Sequence, residues 1–177
     1  MLESGPVLDR FSQPSIAGFG SRFVGPATFA TVLFADDAAE QRWGLLSAWR
    51  DRDGQRPPPI RLAALETLAL VPVLRKATRC LVPASAVLAK TLDGPKSHRW
   101  NLAAGVDDMF LAAVSSTNDD DGVPSFALVT VPAPAAIAVY TDVIPLLADE
   151  HWLAGGEPIE KPWRLLDWGS RPPDELY

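Results

Sequence analysis

His98, His151 and Cys80 supply the only imidazoles and the only thiol in a chain of 177 residues. A covalent catalyst needs a Ser, Thr or Cys held within hydrogen-bond reach of a base. His98 follows Pro95-Lys96-Ser97 in what reads as a loop before a strand, and His151 lies in the acidic helix-like stretch ADEHWLA. Cys80 sits between Arg79 and Leu81 in a strand-like run, where a free thiol is expected to pack as a small hydrophobe. An enzyme built on Cys80, Ser85 or His98 would require two of these side chains to converge in one pocket. One cysteine excludes a disulfide framework and any multi-cysteine metal knuckle, and two histidines leave little for a zinc site. Asp119–Asp121 lacks the glycine and distal glutamate of a calcium loop, so it reads as a solvated turn. There is no glycine-rich phosphate loop. Neither a metal nor a cofactor is expected.

One segment offers binding chemistry. Arg42, Arg50, Arg52, Arg56 and Arg61 place five guanidiniums within twenty residues, with Trp43 and Trp49 interleaved and Asp51 and Asp53 as partial offsets. Cations for phosphates beside aromatic faces for bases is the composition that single-stranded nucleic acid uses. The competing reading makes both tryptophans core anchors beside a polar loop.

The elements that must position these residues follow from length and pattern. A chain of this size buries roughly 70% of its extended surface on folding, enough for one self-sufficient core, and the expectation is a single domain over residues 1–177. Charge is uneven: residues 1–106 carry 13 Lys/Arg and 9 Asp/Glu, a balance of +4, whereas residues 107–177 carry 3 and 13, a balance of −10. The whole chain, at −6, repels polyanions at long range, so any nucleic-acid contact must be a local patch in the first half. The first twenty residues contain Glu3, Asp9 and Arg10 and no apolar core, so no secretory signal is read there. The longest nearly apolar stretch, Phe126 to Tyr140, is interrupted by Thr130, Pro132 and Pro134 and falls short of the ~20 residues of a membrane span. A cytoplasmic protein with no membrane partner is expected.

Short apolar runs bounded by Pro, Gly or Asp have strand length and composition: 28–34, 42–46, 79–83, 99–103, 109–114 and 126–131. Helical signals are weaker and fall at 66–77, 134–139 and 148–154, with Pro72 marking a helix start. The segments 50–59 and 115–123 read as surface loops, since consecutive prolines remove backbone donors and Asp-Asp-Asp-Gly is turn chemistry. The fold class is therefore α+β and mainly β, with short peripheral helices.

The run Arg42-Trp43-Gly44-Leu45-Leu46-Ser47-Ala48-Trp49, then Leu65-Glu66-Thr67, then Arg79-Cys80-Leu81-Val82-Pro83-Ala84-Ser85 resembles the SOS-response-associated peptidase (SRAP) domain family. That family carries a WGLIPSW block, an NARAET block and an RCLxPA block in this order and at similar separations. Val129–Ala133 looks like its TTPAN segment, Thr141–Pro145 like its HDRMP segment, Arg10–Gln13 like the end of its MCGRFTQ opening, and Arg22-Phe23 weakly like its RYNIAPT block. The similarity covers residues 7–155, leaving 156–177 as a C-terminal extension. It implies a strongly bent antiparallel sheet or barrel that binds single-stranded DNA in a positive groove. There a cysteine at the N-terminus traps the aldehyde of an abasic site, helped by an Asn, a Glu and a His.

The family's reactive positions are not kept. The cysteine falls on Leu8, the asparagine on Leu62, the glutamate on Ala89 and the histidine on Thr141, while two arginines fall on Ala64 and Val143. A hydrocarbon side chain cannot close a thiazolidine, so the resemblance implies a pseudoenzyme in a DNA damage response family, with no catalytic residues of the known kind. The retained residues, among them Trp43, Gly44, Pro83, Pro132 and Pro145, are types that pack cores and fix turns. Two partners are expected for such a chain. One is single-stranded DNA, held weakly by Arg10, Arg22, Trp43, Trp49 and Arg61. The alternative is a protein that docks on the groove now relined with Leu, Ala and Val.

Overall fold

A computed structural model describes residues 27–46, 58–84, 87–93, 96–103, 109–117, 122–138, 141–156 and 164–166. Ten strands fall within them: β1 Phe29–Leu33, β2 Ala38–Trp43, β3 Leu62–Ala64, β4 Thr78–Ala84, β5 Val87–Asp93, β6 Lys96–Ala103, β7 Met109–Thr117, β8 Pro124–Pro132, β9 Val143–Pro145 and β10 Arg164–Leu166. The helices are single turns: α1 Pro72–Arg75, α2 Ala135–Ala138 and α3 Glu150–Leu153, with a 3-10 turn at Leu65–Thr67. The protein is mainly β, as its strand-rich sequence predicts.

Strands β2, β1, β4, β7 and β8 lie side by side, and the first residues of β8 pair back onto the end of β2, closing a five-stranded barrel. Closure leaves no open edge on that ring. The barrel is mixed: β2 and β3 both run parallel to β8, whereas every other described pairing is antiparallel. That is the departure from the all-antiparallel expectation. Strand β3 continues along the β8 edge that β2 leaves, and β9 occupies the other edge beyond β7. A second sheet, in the order β10-β6-β5, adjoins the barrel through Val87, which packs on the barrel's apolar cluster.

The period of two along each strand sorts the core into two sets. Ala30, Val32, Cys80, Val82, Leu111 and Phe126, with their neighbours, come from the same face of every barrel strand and fill the interior. Buried Gln41 and Ser115 face inward as well, on strands that are not neighbours, and the Ser115 hydroxyl donates to Gln41 Oε1 at 2.6 Å. The outward faces carry Leu33, Leu81, Val114 and Val129 beside the small Ala112 and Ala127, and Leu74 of α1 and Trp152 of α3 cover them.

Several boundaries differ from the sequence reading, each for a physical reason. The strand expected at 42–46 occupies Ala38–Trp43 and stops where Gly44 takes φ +125°. The segment 115–123 begins as strand, because β7 extends to Thr117 to pair with the start of β8. The helix expected over 66–77 divides into the 3-10 turn and α1, and Pro72 stands at the start of α1 because its ring fixes φ and its missing N–H is not needed there. His98 lies inside β6 opposite Thr91 and not in a loop. Strands β3, β5, β9 and β10 carry no alternation long enough to read in advance.

Candidate functional site

Leu62 and Thr141, two of the four positions on which the resemblance places catalytic groups, lie among residues whose side chains are described. Leu62 opens β3 opposite Leu128, and Val143 opens β9 opposite Pro132. Directly opposed residues share a face of the sheet, so Leu62, Ala64, Thr130, Pro132 and Val143 continue the barrel's inward face past the end of the ring. Leu62 is 47% exposed and Val143 37% exposed. Thr141 precedes β9 and its hydroxyl donates to the Val143 carbonyl at 2.9 Å, which ties it into its own turn. Ala89 lies in β5 opposite Trp100. Leu8, Ser85, Arg10, Arg22 and Trp49 lie outside the described residues, as do Arg50, Arg52, Arg56 and Asp119–Asp121.

Of the candidate binding residues, Trp43 and Arg61 are brought together. Trp43 ends β2 on the inward face, half-buried, its ring nearly parallel to that of Phe126 at 7° with centroids 6.4 Å apart. Its indole N–H donates to the Arg61 carbonyl at 3.0 Å, and the Leu128 amide donates to the same oxygen at 3.0 Å. This is the geometry of a packing anchor that holds the chain entering β3. The Arg61 side chain is exposed.

Between them, Gly44 turns the chain. Its amide donates to the Phe126 carbonyl at 2.8 Å, and a Cβ at Gly44 would stand 3.2 Å from Pro59 Cβ and 4.0 Å from Arg61 Cγ. Glycine is needed there both for the positive φ and for the close approach of Pro59.

The aromatic that sequence reasoning missed is Phe29. It opens β1 directly opposite Arg42 on the barrel's outer face and is 45% exposed. Its neighbour Ala30 points inward, and only the β1–β2 register reveals which of the two faces out.

Cys80 is fully buried in the barrel interior, and desolvation pushes its thiol far above the ordinary range. A thiol held neutral in this way is not a nucleophile. His151 is exposed on α3, and its backbone amide donates to Asp149 Oδ1 at 2.9 Å, capping that turn. Among the described residues no group of three or more His, Cys, Asp or Glu side chains is placed to hold a metal ion. No helix among them is long and apolar enough to cross a membrane.

No family model and no curated protein matches the chain. Solved structures do match its shape. A Bordetella bronchiseptica protein, solved by crystallography in a structural-genomics programme, superposes with a TM-score of 0.59 at 15% identity, over 75% of this chain and 76% of that one. A Bacteroides thetaiotaomicron protein from the same programme superposes with a TM-score of 0.58 at 16% identity, over 72% of this chain and 63% of that one. This chain thus spans less than two thirds of the Bacteroides protein. At these identities the likeness is one of fold, and the fold shared is the barrel.

Proposed function

We propose that the chain is a catalytically silent SRAP-like domain whose remaining activity is weak binding of single-stranded DNA. The observation that carries this reading is the contrast at adjacent residues: Leu62, at the position of a catalytic asparagine, offers only hydrocarbon, while Arg61 beside it keeps an exposed guanidinium. Leu8, Ala89 and Thr141 extend the first half of that contrast, since none supplies a thiol, a carboxylate or an imidazole for aldehyde capture. The second half is electrostatic. The first 106 residues hold the chain's excess of cations, and phosphate binding needs only local positive charge.

Incubation with single-stranded DNA bearing one abasic site, followed by denaturing electrophoresis, tests the first half. No shifted covalent band is expected, and a persistent adduct overturns the reading. Fluorescence anisotropy with an unmodified oligonucleotide tests the second. Binding at low salt that weakens as salt rises is expected, and no binding at low salt overturns it.

A protein partner is the second reading, and Leu62 and Val143 favour it. Both are large apolar side chains left in solvent on one face, flanking β8 from its two edges. Exposed apolar groups that cluster mark association surfaces more often than scattered ones do. Leu62→Glu with Val143→Glu should abolish such an association and leave oligonucleotide binding intact.

A further inference from the structure

We propose that the turn at residues 68–73 docks on the surface of an anionic phospholipid bilayer, with Leu70 entering the acyl boundary and Arg75 and Lys76 meeting the headgroup phosphates. This is a second contact, and it does not depend on the nucleic-acid reading above.

Residues 68–74 read LALVPVL, an unbroken apolar run between Thr67 and Arg75. The core outside the barrel takes most of it: Leu74 is buried there, and Leu68, Val71 and Val73 pack against the same cluster. Ala69, Leu70 and Pro72 are left in solvent, and Leu70, 77% exposed, is the most exposed large apolar side chain among the described residues. Anchored residues on both sides hold Leu70 outward.

The polar groups of the turn suit a water-poor layer, where a group must bring its hydrogen bonds with it. The amide of Leu68 donates to the Leu65 carbonyl at 3.3 Å, and those of Leu70 and Val71 donate to the Thr67 carbonyl at 3.0 Å. Pro72 has no N–H, and the Thr67 hydroxyl donates to the Ala64 carbonyl at 2.7 Å. The charges suit an anionic surface. Pro72, Arg75 and Lys76 are exposed at positions i, i+3 and i+4, so they share one face of α1 and its end. Two cations therefore stand about one helical turn, ~5 Å, behind the apolar tip. In that arrangement hydrocarbon enters the boundary while long basic side chains stay among the phosphates. Glu66, on the 3-10 turn, is the one carboxylate between residues 60 and 79. At −6 the whole chain is repelled by such a surface, so the two cations set a local attraction and Leu70 supplies the hold.

Three exposed apolar side chains fall well short of the ~800 Å² per partner of a stable protein interface. A bilayer sets no such threshold, since each apolar side chain and each cation adds to the partition separately. The expectation of no membrane partner rests on the lack of a spanning segment, and a contact at the surface needs none.

The test is co-sedimentation of the full chain at low salt with vesicles of equal parts phosphatidylcholine and phosphatidylglycerol, beside vesicles of phosphatidylcholine alone. The parent is expected to pellet with the mixed vesicles and to stay largely in solution with the neutral ones. Leu70→Glu is expected to lower the partition roughly tenfold, and Leu70→Phe to preserve it, because the boundary accepts any large apolar side chain. Arg75→Ala with Lys76→Ala is expected to lower it roughly tenfold on the mixed vesicles and to change nothing on the neutral ones. All these positions are solvent-facing, so thermal midpoints without vesicles should match the parent's, which separates lost docking from lost fold. A parent chain that does not pellet with the mixed vesicles overturns the proposal, as does pelleting indifferent to Leu70→Glu. Should the parent instead self-associate in light scattering without vesicles, and Leu70→Glu reverse it, the turn is a protein contact and lipid docking is overturned.

Discussion

The indole N–H of Trp43 and the carbonyl of Arg61 meet at 3.0 Å, across eighteen residues of chain. That contact joins the last residue of β2 to the residue before β3, so the two segments that share one edge of β8 are held in line. It also divides the labour between two residues that the sequence places together in one arginine-aromatic segment. Trp43 spends its ring on Phe126 and its donor on the backbone, while Arg61 contributes its carbonyl to the fold and its side chain to solvent.

Trp43→Phe should accordingly act on stability more than on binding. It removes one hydrogen bond and part of a half-buried ring, for an expected loss of about 1–2 kcal/mol in chemical denaturation. Oligonucleotide affinity measured on the folded variant should stay within about twofold of the parent, because the Trp43 ring already packs on Phe126.

Gly44→Ala meets two obstacles at once. The backbone holds φ +125°, which L side chains rarely adopt, and the new methyl would press on Pro59 Cβ at 3.2 Å. A loss of about 1–3 kcal/mol is expected from the denaturation midpoint. A neutral result would mean that the β2–β3 connection can be rebuilt without the Gly44 amide to Phe126 carbonyl bond.

Arg79 and Trp152 form the other long-range tie. The guanidinium lies 4.1 Å over the indole and donates to the Gly156 carbonyl at 2.8 Å, while Trp152 Nε1 reaches the carbonyls of Cys80 and Ala113 at 3.1 and 3.2 Å. Arg79→Ala should cost about 2 kcal/mol, and Arg79→Lys should recover only part of it, since a lysine keeps the charge but not the planar fork. Trp152→Ala, at a side chain 1% exposed, should cost about 3–5 kcal/mol. Thermal or urea unfolding of the three variants gives the order.

Cys80 makes a pH prediction. Burial raises its thiol from the ordinary value of 9.0, so the folded chain keeps the proton after the unfolded chain has released it. The unfolded state then binds fewer protons, and stability falls as pH rises above about 9, by up to ~1.4 kcal/mol per unit from this group. Below that pH the thiol is neutral in both states and contributes no slope. The difference between parent and Cys80→Ala in urea midpoints from pH 8 to 10 isolates the effect. A thiol reagent should likewise label the protein only after it unfolds.

Local pattern made much of the barrel legible. β1, β4 and β8 each fall within a residue or two of an apolar run, because a strand buried on both faces must be apolar throughout, and Cys80 was readable as buried for the same reason. β3 and β9 were not legible. Each is three residues long, and each is a strand only because β8 offers it an edge. β5 was hidden by Lys90, Thr91 and Asp93, which interrupt its apolar run, and β6 was legible only in its second half, at 99–103, because Lys96, Ser97 and His98 open it.

By itself the amino-acid order determined the strand-rich class, the uneven charge, the burial of Cys80 and the absence of a thiol, carboxylate or imidazole at Leu8, Leu62, Ala89 and Thr141, because these depend on residue type and near neighbours alone. Tertiary structure decided which aromatic beside Arg42 faces solvent. Trp43 turns inward and Phe29 outward through the β1–β2 register and the return of β8 onto β2, and a pairing between distant segments sets the face of a side chain that no local spacing encodes.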